Sequence, residues 1–200
     1  MNNKKLQNIC IVGLGYVGLP LALEASKKFN VYAYDNNPKI INNLNKKKTF
    51  LVDLDLHTLK KNINKTFRPT KNIKSIGYCD YIIICLPTPL NKNKDPDLSY
   101  VTNFLNSSSK YFKKKQTIIL ESTTFPGTTD EILKPFFESK KLRIGKDIFL
   151  GYSPERIDPG RKIKINQINK ICSGYSDNCK KKVFNFYKNI FENVMLVSSN

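Results

Sequence analysis

The sequence predicts an α/β fold: a doubly wound, mostly parallel sheet with additional strands after Ser153. Three observations carry this. Short apolar runs alternate with stretches that are apolar at helical spacing. Two of the runs, "DYIIICLP" and "QTIILEST", are continuously apolar, as a strand covered on both faces is. The string "GLGYVG" stands between the first apolar run and the first helical pattern, where glycines permit a tight strand-to-helix turn.

Taken in order, "NICIVGL" is the first strand and "YVGLPLALEASKKF" the first helix. "VYAYD" is the second strand, and "PKIINNLNKKK" the second helix. A helix over 55–65 leads to a weak strand near Phe67. "DYIIICLP" is followed by a helix over 100–112, then by "QTIILEST". "TTDEILKPFFESKK" reads as a helix, with Thr128 and Glu131 at capping-box spacing and Pro135 kinking or shortening it. "DIFLGYSP", "INKICSG" and "NVMLVSS" are later strands, with a helix over 178–189. No repeat or low-complexity linker divides the chain, so residues 1–200 read as one unit. Right-handed βαβ crossovers put the ligand edge beyond the carboxyl ends of the strands. The informative loops are therefore those after "CIVGL", "VYAYD", "IIICL" and "IILES".

Composition excludes several classes. The residues are 40% hydrophobic, with 12 Phe and 10 Tyr, enough for a real core. The net charge of +18 invites nucleic acid, but only Arg68, Arg143, Arg156 and Arg161 are arginines, and arginine is the usual reader of phosphates and bases. The lysines are scattered among Asn and Ile, as codon bias in an AT-rich genome makes them, so no nucleic-acid role is expected. No run approaches the roughly 18 apolar residues of a membrane helix, and the basic start precedes too short an apolar run for a secretory signal. A cytoplasmic location without membrane association is expected. Cys10, Cys79, Cys85, Cys172 and Cys179 form no CxxC or metal-ligand spacing. Cys10 and Cys85 read as core residues, and a Cys172–Cys179 disulfide is not expected in the cytosol. His57, the single histidine, reads as an ordinary helix residue, and no metal site is expected.

In "GLGYVG", Gly13 permits the turn, Gly15 lets a pyrophosphate approach the backbone, and Gly18 lets helix and strand pack closely. The intervening Leu14, Tyr16 and Val17 offer backbone N–H groups at a helix N-terminus, whose positive dipole end suits phosphate. Asp35 closes the second strand at the roughly 20-residue spacing of a ribose-binding acid. A carboxylate there accepts hydrogen bonds from both ribose hydroxyls of NAD and repels the 2′-phosphate of NADP. NAD is the expected cofactor of a Rossmann-type domain. The plainer alternative makes Asp35 a turn residue before Asn36 and Asn37.

Together with further motifs, these residues make the chain resemble a known family. "GLGYVGLPLA", "CLPTPLNKNKDPDLSYV", "ESTTFPGTT" and "YSPERIDPG", in that order over residues 9–160, resemble the UDP-glucose/GDP-mannose dehydrogenases, NAD-dependent nucleotide-sugar 6-dehydrogenases. The likeness is greatest to the branch acting on UDP-N-acetylhexosamines. The resemblance implies oxidation of a sugar CH2OH to a carboxylate with two NAD, through an aldehyde and a cysteine-bound thioester, for polysaccharide precursors. It implies that Thr88 of "PTP" and Thr123 of "EST" lie at the cofactor and reaction centre. It further implies that Thr123 positions a water or hydroxyl, and that Glu155 of "SPER" assists thioester hydrolysis by activating water. The plain alternatives are a helix cap for each threonine and a lysine partner for Glu155.

The family is longer. Beyond its NAD-binding part it carries a central helix, a nucleophilic cysteine and a UDP-sugar-binding domain. The expectation is that residues 1–200 are the NAD-binding domain, with those parts absent, and that none of the five cysteines is the nucleophile. Such a chain would be truncated, or half of a split enzyme with a separately encoded C-terminal half. The family's homodimer is also implied by resemblance only.

Overall fold

Successive residues of the central strands point to opposite faces of one sheet, and both faces are covered. In the computed structural model, which describes residues 6–52, 54–91, 94–125, 127–155 and 164–197, eight strands lie in the order β3-β2-β1-β4-β5-β6-β7-β8. They are β1 (Asn8–Val12), β2 (Asn30–Tyr34), β3 (Phe67–Thr70), β4 (Tyr81–Ile84), β5 (Thr117–Leu120), β6 (Phe149–Tyr152), β7 (Lys170–Gly174) and β8 (Val194–Leu196). The first six form a parallel sheet in the dinucleotide-binding order, in which the direction of winding reverses between β1 and β4. The strands after Ser153 extend it, β7 antiparallel to β6 and β8 parallel to β7.

The alternation explains the continuous apolar runs. Ile9, Ile11, Ile83 and Ile119 pack on one face beneath α1 (Gly18–Ala25), α2 (Pro38–Asn45), α3 (Leu56–Asn62) and α6 (Asp177–Lys188). Cys10, Val12, Ile82, Ile84, Ile118 and Leu120 pack on the other against α4 (Ser99–Ser108) and α5 (Lys134–Glu138). Each isoleucine or leucine so buried stabilises the fold by roughly 1.5–3 kcal/mol before entropy is counted.

Helix starts follow local chemistry. Asn37 accepts from the Lys39 N–H ahead of Pro38 at the first position of α2, and Asp55 accepts from the Thr58 N–H of α3. His57 sits exposed in α3. The helix expected over 100–112 ends as α4 at Ser108, and a 3-10 turn, Ser109–Tyr111, follows.

One expectation is corrected. Thr128 and Glu131 do not form a capping box: the Thr128 hydroxyl donates to the Phe125 carbonyl at 2.8 Å instead of accepting from the helix. A turn through Gly127, with φ at +95°, brings that carbonyl within reach. Pro135 does shorten the α-helix. It has no N–H for the Glu131 carbonyl, and the chain forms a wider π turn, Thr129–Leu133, that runs directly into α5. Pro126, residues 156–160 of "YSPERIDPG" and the closing serines of "NVMLVSS" lie outside the described residues.

Candidate functional site

The three glycines of "GLGYVG" meet three different surroundings. Gly13 has φ of +89°, and a Cβ there would lie 2.7 Å from the Cys85 carbonyl oxygen. A Cβ on Gly18 would lie 1.9 Å from the Gly13 carbonyl oxygen, so α1 rests directly on the turn. Among the described residues, a Cβ on Gly15 would meet nothing within 4 Å. The first and third glycines are thus required by the protein's own packing. The second faces open space, which is where a ligand's phosphate needs bare backbone. The Val17 side chain makes no capping bond to the N-terminus of α1, whose first N–H groups carry the positive end of the helix dipole.

Between the glycines, Leu14 is fully buried and Tyr16 is largely exposed, its ring edge-on to Phe50 at 5.7 Å. The Leu14 N–H is already engaged: it donates to Asp35 Oδ2 at 2.8 Å. Asp35 Oδ1 accepts from the Asn37 N–H, also at 2.8 Å. The aspartate therefore forms the turn of the plainer reading and also ties that turn to the glycine loop. Each carboxylate oxygen keeps a second lone pair for another donor. Leu14 serves this arrangement through its N–H alone.

Thr88 and Thr123 come from loops 35 residues apart and meet: the Thr88 hydroxyl donates to the Thr123 carbonyl. Ser122 reinforces the link by donating to the Leu86 carbonyl at 2.7 Å. The loops after β4 and β5 are thereby one unit on the ligand edge, and Thr123 is exposed there. Glu155 follows β6 on the same edge; the Cys85 thiol is pushed up by burial first, and further by the Glu121 and Glu155 charges.

Sequence reasoning missed what lies beneath. Glu121, at the end of β5, is buried, with one oxygen accepting from Lys170 Nζ and the other from the Tyr187 hydroxyl. Burial pushes the Tyr187 hydroxyl well up, and the neighbouring Glu121 charge pushes it further. The available signal was an acid closing a buried strand, the same pattern that singled out Asp35. Lys170 gave less, being one lysine among many.

All five cysteines are free and buried. Burial pushes the Cys85 thiol well up and Cys172 to about 11; the Cys79 contact, then burial, does the same to Cys10. Among the described residues no three His, Cys, Asp or Glu side chains gather as metal ligands, and no helix is long and apolar enough to cross a membrane.

A family model described as "UDP-glucose/GDP-mannose dehydrogenase family, NAD binding domain" matches residues 7–194. The chain belongs to this family. It is 38% identical over 184 residues to a UDP-N-acetyl-D-glucosamine 6-dehydrogenase from Pseudomonas aeruginosa, covering 91% of this chain and 43% of that protein. It is 29% identical over 184 residues to a UDP-N-acetyl-D-mannosamine dehydrogenase from Pyrococcus horikoshii, covering 90% and 44%. Among solved structures, a UDP-D-ManNAc dehydrogenase from Pyrococcus horikoshii superposes with a TM-score of 0.90 at 27% identity, over 96% of this chain and 47% of that one. The UDP-N-acetyl-mannosamine dehydrogenase Cap5O from Staphylococcus aureus does so at 0.88 and 28%, over 97% and 47%. The chain thus spans less than half the length of these relatives. As a member of the family's NAD-binding domain it takes NAD as its cofactor.

Proposed function

We propose that residues 1–200 hold NAD for an enzyme that oxidises the C6 hydroxymethyl of a UDP-N-acetylhexosamine to the uronic acid, in making polysaccharide precursors. The observation that carries this is the glycine turn: Gly13 and Gly18 are locked by packing, and only Gly15 opens outward. In this reading the turn from Gly13 through Leu14 to Gly18 cradles the pyrophosphate at the start of α1, with Gly15, Tyr16, Val17 and Gly18 offering their N–H groups, while those of Gly13 and Leu14 hold the turn to the Tyr34 carbonyl and Asp35. Asp35 uses its remaining lone pairs for the ribose hydroxyls. Thr88 and Thr123 border the nicotinamide half, because a dinucleotide straddles the point between β1 and β4 where the strand order reverses. When bound there, NAD supplies the hydride acceptor. Thr123 orients the substrate hydroxyl or a water, and Glu155 takes a proton from the attacking water. The names of the relatives support a UDP-N-acetylhexosamine; glucosamine and mannosamine both occur among them.

The fully buried state of Cys10, Cys79, Cys172 and Cys179, and the raised thiol of Cys85, favour a second reading for the chain on its own. Covalent catalysis needs a thiolate within reach of the substrate carbon. Residues 1–200 alone then bind NAD without completing the oxidation, which requires further residues, in the same polypeptide or another. Formation of NADH from NAD and a panel of UDP-sugars tests both readings, with the NAD-induced shift in melting temperature measured alongside. A shift without turnover is expected from this chain alone, and turnover when the remaining part of the enzyme is supplied. The absence of any shift with NAD would overturn both readings.

A further inference from the structure

Glu121, Lys170 and Tyr187 form a polar network that burial makes costly. The Glu121 and Lys170 side chains are 0% and 2% exposed, and the Lys170 ammonium lies over the Tyr187 and Phe191 rings at 5.0 and 5.4 Å. Well-packed apolar residues hold such a space as well as a buried ion pair does, so stability alone does not account for it. Its placement does. The antiparallel pairing of β6 with β7 spans only Gly151↔Gly174 and Tyr152↔Ser173. Beside it, the Ser153 hydroxyl donates to the Ile171 carbonyl at 2.7 Å and the Tyr175 N–H to the Leu150 carbonyl at 3.1 Å, and the network adds a buried fastening from the start of β7 and from α6 to the end of β5. Because β7 runs antiparallel, its first residue, Lys170, arrives beneath the ligand edge.

Glu121 is also the root of the loop that carries Thr123. Its N–H donates to the Ile84 carbonyl at 2.8 Å, and its side chain is held from below by Lys170 and Tyr187. Two residues on, the Thr123 carbonyl accepts from the Thr88 hydroxyl. We propose that Lys170 and Tyr187 are positioning residues for the nicotinamide half of the site: through Glu121 they set the Thr123 loop against the cofactor, while touching no ligand themselves. The C-terminal extension of the sheet thereby becomes part of the cofactor site. This rests on the NAD reading above.

The test compares NAD with ADP-ribose, which has the adenosine, pyrophosphate and second ribose but no nicotinamide. Calorimetric titration of the 200-residue chain is expected to show NAD binding at least about tenfold tighter than ADP-ribose, roughly 1.4 kcal/mol. In the double variant Glu121→Gln with Lys170→Met, which leaves no unpartnered charge, NAD is expected to weaken to within about twofold of ADP-ribose, and ADP-ribose to stay within about twofold of wild type. Tyr187→Phe removes one bond and no charge; it is expected to weaken NAD about threefold and ADP-ribose not at all. This milder variant decides the matter if the double variant does not fold. Equal weakening of both ligands marks a merely structural network and overturns the proposal, as do unchanged NAD binding in either folded variant and equal affinities in the wild type. Failure of the wild type to bind either ligand overturns the underlying NAD reading instead.

Discussion

Asp35→Asn separates the two readings of the acid that closes β2. In the native chain both carboxylate oxygens accept a backbone N–H at 2.8 Å, from Leu14 and from Asn37, and the residue is 9% exposed. Asparagine has one acceptor oxygen, so its amide NH2 must face one of those N–H groups. A bond to a charged acceptor is lost and a donor is left without a partner, at about 1.5–3 kcal/mol of stability. For a chain of this size that lowers the melting temperature by roughly 3–12 °C. If the same carboxylate also holds the ribose, NAD loses a second charge-assisted bond of about 1.5–3 kcal/mol. Affinity then falls by roughly 10- to 150-fold. NADP gains relative to NAD, because the charge that repels its 2′-phosphate has gone. Calorimetric titration with both nucleotides, beside thermal unfolding of the free protein, reads each effect separately. A lower melting temperature with an unchanged NAD-to-NADP ratio would leave Asp35 a turn residue and refute the ribose role. An unchanged melting temperature would refute the coupling of Asp35 to the glycine loop.

Gly18→Ala places a methyl group 1.9 Å from a backbone oxygen of the adjoining turn, and is expected to cost at least about 3 kcal/mol or to prevent folding; Gly15→Ala, with open space at that position, is expected to keep the native melting temperature while NAD binding falls. The Arg143 guanidinium beside Asp147 holds its carboxyl well below the usual carboxylate range. A depressed folded pKa means that the unfolded chain binds the extra proton. The stability contributed by Asp147 is therefore full above the unfolded value of about 3.9 and is lost as pH falls towards the folded one. Denaturation midpoints measured across that acid range are expected to fall less steeply in Asp147→Asn than in the wild type. The five buried thiols are expected to resist alkylation near neutral pH in the native protein and to label together on unfolding; a rapidly labelled native cysteine would contradict their burial.

Much of this protein is local in origin and therefore legible along the chain. Apolar alternation produced the order of strands and helices, because a strand covered on both faces has no polar side to present. The glycine spacing marked the turn and Asp35 marked the end of β2, since both depend on backbone conformation within a few residues. Pro135 announced the shortened helix, because a missing N–H acts where it stands. What the tertiary structure decided involves partners distant in sequence. The failed capping box at Thr128 turned on which carbonyl the Gly127 turn brought near. The meeting of Thr88 with Thr123 required β4 and β5 to be neighbours. Glu121, Lys170 and Tyr187 converge from β5, β7 and α6, separated by up to 66 positions. Only the antiparallel return of β7 brings that lysine to the buried acid, and a charge becomes a paired, desolvated charge only once both partners have been folded out of water.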